Sequence, residues 1–174
     1  MKTKISKKPK FSITQKDEEM LALVGKTDHK TLAVWAIDCA ERVLPYFEEK
    51  FPKDPRPRCA INTLRAWTGT GVFKMSVIRK ASLDAHAAAR DVGENSAARS
   101  AARAAGQAVA TAHAPRHAYG PAIYGQQAVF RATGLGGALA AAAKERDWQY
   151  KRLLELRKQL RRKLYNVLVE KNDS

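Results

Sequence analysis

The sequence predicts an all-α protein: a single-domain bundle of about six to seven helices with an alanine-rich, tightly packed hairpin. Apolar residues recur at spacings of three and four along most of the chain. Glycine, proline and capping residues cut those recurrences at helix-length intervals. No alternating apolar and polar run bounded by turn residues offers a strand. At 174 residues the chain is long enough for one domain with a core.

Residues 1–13 hold many lysines, Pro9 and little to bury, and read as a disordered basic tail. A first helix is expected from about Thr14, its N-cap, to Val24, with Asp17, Glu18 and Glu19 favouring the positive end of its dipole. Asp28 caps a second, running to about Lys50. Leu32, Trp35, Ala36, Cys39, Val43 and Phe47 form its apolar face. Asp38 and Arg42 stand i,i+4 on another face and are placed to pair, and Pro45 predicts a kink.

Asp54 caps a third helix with Pro55 at its first position and Ile61, Leu64 and Trp67 buried. The fourth helix spans about Val72 to Asp91, with Ile78, Ala81, Ala85 and Ala88 inward. The fifth runs from Asn95 or Ser96 to about His113, with Ala98, Ala101, Ala102, Ala105, Val109 and Ala112 inward. Alanine stripes let helix axes approach closely, so these two form the hairpin. A sixth helix covers about Arg116 to Thr133, packing through Tyr119, Ile123, Tyr124 and Val129. After Gly134, Gly136 and Gly137, a last helix runs from about Ala138 to Leu168, its apolar repeat being Trp148, Leu153, Leu156, Leu160, Leu164 and Val167. The domain is expected over residues 14–156, with 157–174 as a basic helical extension.

The net charge is +15. Lysines crowd the first sixteen residues, and Arg157, Lys158, Arg161, Arg162 and Lys163 crowd the last helix. Clustered cations favour a polyanionic partner, so the C-terminal run is the candidate nucleic-acid segment, the bland alternative being a solvated helix face. No helix-turn-helix element is recognisable, and the aromatics look like core residues rather than a stacking platform. Cys39 and Cys59 lack paired spacing, which argues against disulfides and thiolate zinc; both are expected as buried free thiols. No stretch approaches the ~20 apolar residues of a membrane span, and no apolar signal core follows the lysines. The expected location is the cytoplasm, with no membrane partner.

The histidines are His29, His86, His113 and His117. Arg79, Leu83, His86 and Arg90 share one face of the fourth helix, and Arg99, Arg103, Gly106 and His113 one face of the fifth. A hairpin would bring the two stripes together as a cationic pocket for a small anion or for acid–base chemistry, with Asp28, Asp38, Asp84 or Asp147 nearby. A satisfied hydrogen-bond network is the bland alternative. His113 and His117 stand i,i+4, but Pro115 spoils the continuity a shared metal would need, and no paired Glu-x-x-His motif is present, so no metal or other cofactor is expected. No nucleophile elbow or phosphate loop is complete.

The stretch Asp28 to Leu44 resembles a bacterial family of immunity proteins of the immunity-five-like type. So do Arg56 to Ile61 with Arg65, Ala66 and Trp67; Ala85 to Arg90; Ala98 to His113 with His117 and Ala118; and Glu145 to Gln149. These short blocks lie in the family's order over roughly residues 27–155. The resemblance implies an all-helical domain that binds and neutralises a cognate toxin. No catalytic residue is singled out. The blocks' polar residues map onto Asp28, His29, Asp38, Arg42, Arg58, Arg65, His86, Arg90, Arg99, His113, His117, Asp147 and Trp148, which suggests a shared binding site. An inhibitor of a nuclease toxin would need an acidic patch, which this chain would draw from Asp17 to Glu49. Two other readings are nucleic-acid association through the last helix, and a small-anion or enzymatic site in the His/Arg/Asp pocket. The oligomeric state is open.

Overall fold

The computed structural model describes Phe11, residues 17–134 and residues 136–172, with side chains through Val167. The expected tail apart from Phe11, together with Thr14 and Leu135, lies outside the described residues. Helices α1 (Glu18–Gly25), α2 (His29–Val43), α3 (Pro45–Glu48), α4 (Arg56–Thr70), α5 (Met75–Asp91) and α6 (Ala97–Ala110) follow in order. A 3-10 turn (Pro115–Ala118) then leads into α7 (Tyr119–Ala132) and α8 (Ala138–Asn172). No strand occurs among the described residues.

The helix starts follow local capping chemistry. Asp17 caps α1, accepting from the Met20 amide at 3.0 Å. Asp28 caps α2 through Thr31, and Ser96 caps α6 through Arg99. Asp54 accepts from the Arg56 amide, but Pro55 stands just before α4 rather than as its first residue. The expected kink at Pro45 is a break. Pro45 has no N–H to continue the ladder, so α2 ends at Val43 and α3 restarts with Phe47 buried. Gly71 closes α4 with a φ of 71°, and the chain stays non-helical until Met75 rather than resuming at Val72.

Helix α6 is the axis of the bundle. It packs against α2, α3, α4, α5 and α7. Sequence spacing predicts one inward stripe, and all six residues of that stripe are buried. So are Ser100, Ala104, Gly106 and Ala108, so nearly the whole circumference is covered. Alanine on every side allows close approach from every direction. The hairpin with α5 is tight and antiparallel. Ser82 Oγ donates to the Gly106 carbonyl at 2.9 Å, and a Cβ on Gly106 would stand 2.9 Å from two atoms of the His86 ring. Glycine at this position makes room for the imidazole.

The larger core residues come from α2, α3 and α4: Trp35, Val43, Phe47, Ile61 and Leu64 are fully buried. Cys39 is buried among them, and burial pushes its thiol up. Cys59 is exposed, contrary to expectation, because it faces out from α4 beside Thr63. On α8 the apolar repeat is covered only as far as Leu156. Leu164 and Val167 are exposed, because the helix continues past the bundle that buries Leu153.

Candidate functional site

The polar residues singled out by sequence do not converge on one cavity. They separate into a seam between α2 and α8, an imidazole group where α5, α6 and the 3-10 turn meet, and an arginine pocket between α6 and α7.

In the seam, Asp38 and Arg42 do not pair with each other. Arg152 Nε donates to Asp38 Oδ2 at 2.8 Å. Arg42 donates to both Glu145 oxygens at 3.0–3.2 Å. The Arg42 guanidinium also lies 3.9 Å over the Trp148 ring. An exposed i,i+4 pair contributes only about 0.3–0.5 kcal/mol, so a two-pronged partner on a packed helix wins. Behind this pair sits Gln149, fully buried. Its Nε2 donates to the Ala122 carbonyl and to Glu145, while its Oε1 accepts from Gln126. Trp35 Nε1 donates to the Gln149 carbonyl at 2.8 Å. Gly125 leaves room for the Gln149 amide, which would stand 3.0 Å from a Cβ there. Asp147, picked from sequence, is largely exposed, with Arg146 within 3.6 Å.

Reasoning from sequence missed Glu145 and Gln149 as seam residues, yet a signal was there. Stepping back from Leu156 and Leu153 at helical spacing lands on Gln149, Glu145 and Ala142, all of them buried. Polar residues inside a core stripe point to an internal network.

The acidic stretch from Asp17 to Glu49 does not form a free acidic face. Asp17 and Glu19 both bind Arg146; hydrogen bonding from that guanidinium holds each carboxyl below its usual range. Arg58 bridges Glu41 and Glu48, and Arg65 adds to Glu41. Asp28 is spent on its cap. Burial works against its ionisation, but hydrogen bonds from Thr31 outweigh it and keep the carboxyl low.

In the second group, His29 Nε2 meets the Thr111 carbonyl, and its ring lies 5.0 Å from Trp67. The His113 and His117 rings are 5.0 Å apart, and His117 Nδ1 pairs with Gln107 Oε1 at 3.0 Å. His86 sits over Gly106 with Nδ1 buried and unpartnered. Burial, then the charges of Arg103, Arg90 and His117, depress its pKa. Burial, then His113 and Arg116, does the same for His117. Both imidazoles are therefore held neutral near pH 7. Asp38 belongs to the seam and Arg90 points to solvent, so the expected stripe-to-stripe pocket with a carboxylate does not assemble. No group of three or more His, Cys, Asp or Glu is placed to share a metal ion among the described residues.

Arg99 lies in the third group. With Arg103, Tyr124, Gln127 and Arg131 it lines an open, polar pocket of about 320 Å³. On α8, Lys158, Arg161, Arg162 and Lys163 are exposed, with Arg157 half-buried.

Fold and site together define an all-helical domain whose polar residues mostly lace helices to one another, and no helix among the described residues is long and apolar enough to cross a membrane. The chain belongs to the family described as Imm-5 like putative immunity protein, whose model matches residues 22–156. No curated protein and no solved structure gives a significant match.

Proposed function

We propose that this protein neutralises a cognate protein toxin by forming a stoichiometric complex, and that the toxin docks on the apolar corner between α4 and α5. Membership of an immunity-protein family supplies the partner class. The observation that carries the docking surface is a run of exposed large apolar residues: Val72, Phe73, Met75, Val77 and Leu83. They flank two grooves of about 250 and 330 Å³ that share Ile78 at their floor. Exposed apolar side chains concentrated on one corner mark an interaction surface more often than a solvated one. Lys74, Arg79 and His113 line the same grooves, and Lys80 lies alongside on α5. With a net charge of +15, this cationic rim selects a partner with an acidic surface around an apolar anchor. Of the residues picked from sequence for the polar stripes, Arg79, Leu83 and His113 border this surface.

The test is co-purification with a candidate toxin encoded beside this protein's own gene, followed by titration of Phe73→Asp/Leu83→Asp. Both side chains are half exposed, so the variant keeps its fold. Loss of central apolar anchors should weaken binding by ~30-fold or more. Failure of every adjacent gene product to bind defeats the toxin reading. Wild-type affinity in the double variant defeats the docking surface alone.

A second reading, salt-sensitive association with nucleic acid, is favoured by the exposed cations Lys158, Arg161, Arg162 and Lys163 on α8. Retention on duplex DNA should fall steeply between low and moderate salt, and Arg161→Gln/Arg162→Gln should flatten that dependence.

A further inference from the structure

Helix α8 outruns the bundle that holds it. Leu153 and Leu156 are buried, but residues 161–167 are all exposed, and the helix continues to Asn172. From Leu156 to Val167 this length measures about 16 Å at the ordinary helical rise. Leu160, Leu164 and Val167 stand at i, i+4 and i+7 along it, within an arc of about 60°. Leu164 and Val167 are 55% and 45% exposed, so the apolar repeat of the core is carried on into water.

The same length carries Arg157, Lys158, Arg161, Arg162 and Lys163, and no acid stands between residues 157 and 167. Arg157 and Arg161 lie along one edge of the apolar stripe and Lys163 along the other, with Lys158 and Arg162 further round. Arg157 with Arg161, and Lys158 with Arg162, are like charges at i,i+4, which work against an isolated helix. Leucines facing solvent do not offset this, because helices draw most of their stability from a packed apolar face. A surface that is anionic and apolar at once relieves both. Pairing with a second copy through the stripe would set five cations against five, so charge disfavours it. Nucleic acid would neutralise the cations but leave the leucines in water.

We propose that α8 beyond Leu156 binds the surface of a bilayer carrying anionic phospholipids, lying in its plane with Leu160, Leu164 and Val167 dipped among the acyl chains. An apolar stripe with cations along its edges has this interfacial geometry. Long arginine and lysine stems let the charges reach the headgroup phosphates while their methylenes stay beside the leucines. Each cation near such a surface strengthens binding by roughly fivefold. The expectation of no membrane partner rests on the want of a spanning segment, and a helix that lies on the surface needs none. The stripe is short, so attachment is reversible and sensitive to salt. The proposal is independent of toxin docking, which uses the corner between α4 and α5.

The experiment is sedimentation of the full chain with vesicles of phosphatidylserine and phosphatidylcholine, against vesicles of phosphatidylcholine alone, at one moderate salt concentration. Binding to the anionic vesicles is expected, with the neutral ones weaker by ~10-fold or more. Leu160→Gln/Leu164→Gln keeps every charge and replaces good helix formers with good helix formers. It should weaken vesicle binding by at least ~10-fold while retention on duplex DNA stays within about twofold of wild type. Its thermal melt should match wild type, because neither side chain belongs to the buried core. The charge-neutral Phe73→Gln/Leu83→Gln, on the toxin-docking corner, should bind vesicles within about twofold of wild type. No sedimentation with anionic vesicles, equal binding to both vesicle types, or equal weakening by both double variants would each overturn the proposal. So would a leucine variant that binds vesicles as wild type does, which would leave α8 a purely cationic segment suited to nucleic acid.

Discussion

Replacing Arg42 by methionine removes the cation from Glu145 while keeping much of the side-chain bulk over Trp148. The Glu145 side chain is only 3% exposed and would be left with the Gln149 amide as its hydrogen-bond donor. Breaking a buried ion pair from one side costs about 3–5 kcal/mol. The Arg42 side chain is 42% exposed, so water already screens this pair and can partly refill the gap. That places the expected loss near 3 kcal/mol at pH 7, the low end of the range. For a chain of this size it corresponds to a fall in Tm of about 6–12 °C. Adding Glu145→Gln to Arg42→Met removes the stranded charge, and the double variant should recover at least about half of the loss. Thermal and urea unfolding of wild type, both single variants and the double variant measure the cycle. A single variant within about 1 kcal/mol of wild type, or a double variant no better than the single, would show that the seam does not depend on this pair.

Three further outcomes are expected. His86 and His117 both have depressed pKa values in the fold, so the unfolded chain binds more protons as the solution is acidified. Their contribution is fully present above the unfolded value of about 6.5 and is lost as pH falls through the folded values; wild type should therefore lose stability between about pH 7 and pH 5, and His86→Gln/His117→Gln should flatten that slope in thermal melts. Asp17→Ala removes both the α1 cap and the paired bonds from Arg146, and urea denaturation should report a loss of about 1–2 kcal/mol, with Asp17→Asn keeping the cap and losing less. Gly71→Ala forces a Cβ into a left-handed backbone that closes α4, which should cost about 1 kcal/mol in the same assay; an unchanged midpoint would mean the turn relaxes freely.

Helical periodicity, glycine and proline punctuation and the capping residues were enough to place the helices, because these signals act within a few residues of one another. The alanine stripe on α6 and the caps at Asp28 and Ser96 are of this kind. The family relation was also legible, since short blocks in a fixed order carry it. Pairing of charges was not. Asp38 and Arg42 stand correctly spaced on α2, but α8 arrives from more than a hundred residues away with a carboxylate and a guanidinium of better geometry. Partner choice follows which helix covers which face, and a two-pronged partner on a packed helix outweighs the local pair. The same holds for Cys59, which shares its helix with Ile61 and Leu64 but faces solvent, and for the corner at Val72 and Phe73, whose exposure depends on where α4 ends. Arg99 was singled out from α6 alone; its partner Arg131 comes from α7, and only helix packing makes one pocket of the two.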